Sequence, residues 1–144
     1  MIILDTNVVS TLMNQLPEPL VVDWLDRQPS AKIWVTTISI YELRFGIAIM
    51  PDGRRRRELA AAFEVVLTED LENRVLPFDE AAARASAELA ARRRLAGNSM
   101  EIRDNQIAGI ALVHRAVLAT RNTKHFRGVG LRLIDPWSQK RSGG

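Results

Sequence analysis

Short apolar runs alternate with segments of helical periodicity along this chain. Ile2-Ile3-Leu4 predicts a short buried strand. A helix is expected over residues 6–13 and another over 19–27, the second with Val22, Trp24 and Leu25 as its apolar positions. Ile33-Trp34-Val35-Thr36 predicts a second strand after the break at Pro29-Ser30. Residues 38–50 read as a helix closed by Pro51-Asp52-Gly53. Residues 54–71 read as a long amphipathic helix carrying Leu59, Ala62, Phe63, Val66 and Leu67 on one side. A third strand at 75–78 is confined to a sheet edge by Pro77, which has no N–H for a ladder. Asp79 caps an alanine-rich helix that runs to Leu95 and stops at Gly97-Asn98. A last helix at 100–115 lies between it and two further strands, 117–120 and 131–134.

Strands alternating with helices predict a parallel α/β sandwich. Its 144 residues suit one domain, placed at 1–137 with a polar tail at 138–144. Ligands of such sheets lie beyond the carboxyl ends of the strands. Asp5 falls at that end of the first strand and Asn122 at that end of the fourth. Leu12, Met13 and Trp24 exceed the apolar surface that one small sheet needs, and with the helix from Arg54 they suggest a face for a second copy of the chain.

Composition narrows the chemistry. Cysteine is absent, which excludes disulfides, thiolate catalysis and Cys–zinc sites. No apolar stretch approaches the roughly 20 residues that span a bilayer. No basic-then-apolar leader opens the chain either, so a cytoplasmic protein without membrane contact is expected. Net charge is only +3, yet the basic residues cluster at Arg54-Arg55-Arg56-Arg57, at Arg92-Arg93-Arg94, and at Lys124, Arg127, Lys140 and Arg141. Such runs are either solvated helix faces or phosphate-binding stripes. Acids gathered in a pocket of a basic protein would favour the second reading.

Asp5, Glu42 and Asp104 are the candidates for that pocket. Each has a structural competitor or a peculiarity. Asp5 stands where a helix N-cap belongs. Ser39-Ile40-Tyr41-Glu42 matches a capping box, in which the Glu reaches back to the cap amide. Asp104 is expected inside a helix, where Asp is a poor former, with Glu101 one turn before it. A divalent cation would reconcile the three. Mg²⁺ binds through few carboxylates, several waters and substrate phosphate. No histidine pair sits at zinc-ligand spacing, no glycine-rich phosphate loop occurs, and no serine has a nucleophile motif.

Four blocks in order then resemble one family. Leu4-Asp5-Thr6-Asn7-Val8-Val9-Ser10 resembles the opening of PIN-domain ribonucleases of the VapC toxin type, and the run Thr37 to Gly46 resembles their second block. Asp104 with Ile107-Ala108 resembles the third, and the run Leu118 to Phe126 the fourth, before the usual ending Asp135-Pro136-Trp137. The likeness is strongest to the FitB-like subgroup.

The resemblance implies a PIN fold, with a central parallel sheet of four to five strands flanked by helices. It also implies a Mg²⁺- or Mn²⁺-dependent endoribonuclease within a toxin–antitoxin pair, cutting RNA and by likeness transfer RNA. A VapB-like antitoxin would be its partner, operator DNA would be met only through that antitoxin, and a homodimer is implied. Asp5, Glu42 and Asp104 carry over as catalytic and metal-binding acids, with Thr6 and Thr120 as polar lining. A fourth acid is common in the family at the place of Asn122 or of His125, and this chain has neither. Asn122 offers a carbonyl oxygen as a further metal ligand, and His125 joins the lining.

Paired acids after the first strand would suggest a phosphoacceptor receiver domain, and a second Asp two residues after Asp5 a haloacid-type phosphatase. Asn7 and the Asp135-Pro136 pair break both patterns. The alternative within the same resemblance is a catalytically weak PIN-type protein that binds nucleic acid and regulates together with its antitoxin.

Overall fold

The computed structural model describes residues 1–139. Five parallel strands form the sheet: β1 (Ile2–Leu4), β2 (Ile33–Thr36), β3 (Val75–Leu76), β4 (Val117–Ala119) and β5 (Arg132–Ile134). Their order is β3-β2-β1-β4-β5, so Pro77 does follow an edge strand. Six helices connect them: α1 (Thr6–Leu12), α2 (Pro19–Asp26), α3 (Thr37–Ala48), α4 (Arg54–Val65), α5 (Glu80–Leu95) and α6 (Ile102–His114). The long helix expected over 54–71 is continuous in path but widens into a π-helical turn at Val66–Asp70. After α5, Gly97 at φ +74° supplies the left-handed residue that ends the helix.

Strand alternation divides the core in two. Ile2, Leu4, Ile33, Val35 and Ala119 pack on the side of α1 to α4, while Ile3 and Leu118 face α5 and α6. Met13 and Trp24 belong to the first layer and are buried, with Leu12 packed against it. The expectation that these residues cover a partner subunit is therefore corrected. They are needed because α1 and α2 close one face of the sheet. The exposed apolar stripe lies instead on α3, where Tyr41, Phe45 and Ile49 follow one another at one-turn spacing and the first two rings stack at 6.0 Å.

On the other face, α5 and α6 approach closely at Gly109. A Cβ there would stand 2.7 Å from both Ala82 O and Ser86 Cβ. Gly is costly inside a helix, by about 1 kcal/mol against Ala, and the close crossing explains its presence. Beside it, Asn105 Nδ2 donates to Ser86 O (3.0 Å) and Ser86 Oγ meets Asn105 Oδ1. This neutral clamp sets the axial position of α6 and so of Asp104, one residue before Asn105.

The tail splits at the limit of the described residues. Ser138 and Gln139 turn back on Asp135 O (3.0 and 3.4 Å), and the rest, with Lys140 and Arg141, lies outside them.

Candidate active site

The strand order reverses between β1 and β4, where a doubly wound sheet opens a crevice for ligands. Asp5 stands at that place. Its backbone is still extended (φ −69°, ψ 162°), so its side chain continues the alternation of Ile3 toward α6. Its N–H donates to Ala119 O (2.9 Å), and Thr120 continues β4 beside it.

Thr120 Oγ1 donates to Asp5 Oδ2 at 2.7 Å, Asn7 Nδ2 approaches the same oxygen at 3.3 Å, and Thr6 N donates to Oδ1 at 2.8 Å. Asp5 is thus both a helix cap and a carboxylate locked in one orientation. It is 4% exposed, and burial raises its pKa above the ordinary value despite these donors.

Glu42 is positioned by α3. The helix begins after Thr36, whose Oγ1 accepts from Ser39 N (3.1 Å), so the cap lies three residues earlier than the capping-box pattern suggests. Ser39 is the residue three after the cap, and Glu42 is one turn further on, free of capping duty. Its Oε1 accepts from Thr6 Oγ1 at 3.1 Å. Thr6 has one proton, given to Glu42, so at the 2.8 Å contact Ser39 Oγ is the donor to Thr6. Burial raises the Glu42 pKa, and the negative charges of Asp5 and Asp104 add to the rise.

Asp104 comes from α6, which starts at Ile102 rather than at residue 100. Glu101 is its N-cap, accepting from Arg103 N (2.8 Å) and Asp104 N (3.1 Å). Asp104 therefore occupies the first turn, where a negative charge meets the positive end of the helix dipole. The expectation of a poorly placed mid-helix Asp is corrected, while Glu101 caps the helix and lines the same cleft as Asp104. Burial raises the Asp104 pKa, with the charge of Asp5 as the next cause.

His125 reaches the acids as well. Its Nδ1 is 3.2 Å from Asp104 Oδ2. Asn122 is exposed, and its backbone N–H, at 3.0 Å from Thr120 Oγ1, is the group that supports the site. Of the two positions where a fourth acid was sought, the histidine is the one whose side chain touches Asp104.

The sequence reading missed three contributors. Asn7 holds Asp5 and accepts from Arg121 N (3.2 Å). Ser39 supports Thr6. Arg103 lies between Glu101 (3.2 Å) and Glu42 (3.7 Å), a cation of the chain on the rim of its own acidic pocket. Only Asn7 left a trace in sequence, as the residue two beyond Asp5.

The basic runs have different fates. Arg92-Arg93-Arg94 end α5, where cations suit the dipole, and Arg93 is spent on Asn98 O and Arg127 O (3.0 and 2.8 Å). The run Arg54 to Arg57 opens α4 behind an uncapped Gly53, against the dipole. Local helix energetics do not explain it. Arg93 and Lys124 line a 350 Å³ cleft with Asp104 and His125. Among the described residues no helix is long and apolar enough to cross a membrane.

An acidic cluster at the switch point of a five-stranded parallel sheet defines a class, and the comparison with known families agrees: residues 2–130 match the model of the PIN domain. The chain belongs to the PIN-domain family. It is 44% identical to the plasmid stability protein StbB of Pseudomonas syringae pv. tomato, over 95% of this chain and 99% of that protein. It is 40% identical to the VapC ribonuclease Y4jK of Sinorhizobium fredii (95% and 98%) and 32% to toxin FitB of Neisseria gonorrhoeae (95% and 99%). Among solved structures, FitAB bound to an IR36 DNA fragment contains a chain that superposes with a TM-score of 0.87 at 30% identity, covering 99% of both chains.

Proposed function

We propose that this chain is the toxin of a type II toxin–antitoxin pair, an endoribonuclease that hydrolyses RNA with Mg²⁺ or Mn²⁺, with transfer RNA as the expected substrate. The observation that carries this reading is the meeting of Asp5, Glu42 and Asp104 at the switch point. All three carboxyls are raised by burial, and Glu42 and Asp104 also by neighbouring negative charge. Such a group is relieved by a cation.

The donor set of hard oxygens suits Mg²⁺ or Mn²⁺. Among the described residues no three acid, histidine or cysteine side chains already stand at metal-holding geometry. Glu42 would turn from Thr6 and Arg103, and Asp104 from His125, to share one ion with Asp5, with the Asn122 carbonyl as a further ligand. When bound, the ion supplies charge neutralisation at the phosphodiester and a more acidic water.

The chain's own residues provide the rest. Asp5 is fixed by Thr6 N, Asn7 and Thr120, so it sets the position of whatever binds. Asp104 and Glu42 are both partly buried with raised pKa values, and either carboxylate could take a proton from the attacking water. Arg103 and Lys124 at the rim hold the RNA backbone.

FitAB on DNA is a two-component assembly, and this supports a VapB-like antitoxin as partner, with operator DNA reached only through it. A cation from the antitoxin, most simply Arg, would replace Arg103 at Glu42 and exclude the metal. The exposed stripe of Tyr41, Phe45 and Ile49 is the surface we assign to a homodimer.

The test uses purified, partner-free protein incubated with total RNA and Mg²⁺ or Mn²⁺, followed by mapping of the new RNA ends. Discrete ends that vanish with chelator are expected. Intact RNA with both ions would overturn the proposal.

A further inference from the structure

Next to Asp5, across Asn7, lies an open cleft of about 620 Å³ that the catalytic reading leaves unused. Its volume falls within the roughly 300–1,000 Å³ of ligand clefts. Asn7 forms the boundary. One end of its amide touches Asp5 Oδ2, and the other accepts from Arg121 N. The wall beyond is made by Ser10, Asn14 and Glu18 of the α1–α2 region and by Arg121 and Trp137 after β4 and β5.

Two features distinguish this cleft from a surface dent. Trp137 is held in place, because its backbone N–H donates to Asp135 Oδ1 at 2.9 Å and its ring packs against the core. The Arg121 guanidinium lies over that ring, 5.0 Å from its centroid. The wall therefore combines an aromatic plane and a guanidinium plane with amide, hydroxyl and carboxylate groups. This is the chemistry of a nucleobase, apolar on its faces and polar at its edge. Bases of single-stranded RNA stack on aromatic rings and Arg planes and are read at their edges.

We infer that this cleft is a nucleobase subsite, taking one base of single-stranded RNA beside the bond cleaved at Asp5, between Trp137 and the Asn14–Glu18 edge. The inference rests on the nuclease reading above. In it Arg121 leaves its stacked position or forms the second face, Trp137 stacks, and Asn14 and Glu18 accept or donate at the base edge. Glu18 caps α2 with Oε1, which accepts from Leu20 N at 3.5 Å, and its second carboxylate oxygen is left for an amino-bearing base.

The experiment separates this inference from cleavage itself. Binding of fluorescein-labelled hexaribonucleotides (rA6, rC6, rG6, rU6) to the Asp104→Asn protein is measured by anisotropy with Mg²⁺ present. Trp137→Leu should weaken the best binder roughly ten- to hundredfold, and Trp137→Phe should restore most of the loss. Circular dichroism checks that each variant is folded, and the exposed Asn14→Ala change probes the same edge without touching the core. Removing one base at a time from the best hexamer should cost about tenfold or more at a single position in the Trp137 protein, and almost nothing at that position in Trp137→Leu. Equal losses in both proteins at every position would overturn the subsite while leaving the nuclease untouched. Unaltered RNA binding by Trp137→Leu, together with lost co-purification of the antitoxin, would assign the cleft to a peptide and overturn it as well. A failed cleavage assay with intact base-dependent binding would instead count against the nuclease reading alone.

Discussion

Asp104 and Asn105 are neighbours on α6 and live in opposite energetic situations. Asn105 is 6% exposed, and its amide is satisfied by Ser86, a neutral network that locks α6 onto α5. Asp104 faces the pocket, pushed toward its neutral form by burial and by Asp5, with the exposed His125 as its side-chain hydrogen-bond partner. One residue holds the helix and the next is left strained by what the helix is held against. On the proposed reading, a cation would relieve the charge that burial and Asp5 leave on Asp104, and the satisfied clamp beside it makes that strain tolerable.

The largest expected effect breaks the charged half of this pair. Asp104→Asn should lower RNA cleavage by about 10²–10⁴-fold, the range of a lost proton acceptor, and Glu42→Gln and Asp5→Asn should also abolish it. The check is single-turnover cleavage with saturating metal. Near wild-type rates for Asp104→Asn would remove Asp104 from the mechanism.

The next breaks the satisfied half. Asn105→Ala leaves Ser86 without its buried partner and should cost about 1–3 kcal/mol of stability. Gly109→Ala forces the crossing apart and should cost a similar amount, about 1–3 kcal/mol. Urea unfolding measures both. Both should also slow cleavage, because Asp104 moves with α6. Lost stability with unchanged cleavage would show that the clamp does not position the acid.

The third sharpens the contrast through pH. Asp104 titrates from an ordinary value of 3.8 to a higher one in the folded state. A raised acid binds more protons folded than unfolded, so stability falls as pH rises from the unfolded toward the folded pKa, and the cost stays constant above both. Asp104→Asn should therefore raise the Tm of the metal-free protein at neutral pH and change it little near pH 3. Thermal melts at both pH values are the measurement, and a lower Tm at neutral pH would contradict the assigned strain. Added Mn²⁺ should raise the wild-type Tm more than that of Asp104→Asn, since an ion bound only by the folded state stabilises it.

The smallest effect concerns the fourth position. His125→Asp should tighten Mn²⁺ binding in calorimetry more than Asn122→Asp, because His125 is the side chain that contacts Asp104. The reverse order would place the missing acid at Asn122.

The acids were found by unequal routes. Asp5 is legible because a strand end next to a helix start is visible in the pattern Ile2-Ile3-Leu4-Asp5-Thr6, and the cap reading holds for it. Glu42 survived a misleading local pattern: Thr36, not Ser39, caps α3, which only the end of β2 reveals. The mid-helix position that sequence suggests for Asp104 does not hold, since it sits in a favourable first turn. What singles it out is its charge beside Asp5.

Local sequence by itself determined the elements, the edge position of β3 and the parallel α/β class. These follow from apolar period, Pro and Gly, which act within a few residues. Only the tertiary structure decided that Met13 and Trp24 are core, that Tyr41, Phe45 and Ile49 are surface, and that Thr6, Ser39 and Glu42 share protons across 33 to 36 residues of sequence. Those outcomes depend on which faces meet when β1 lies between β2 and β4. The order of strands is set by packing among distant segments, and no short window of sequence contains it.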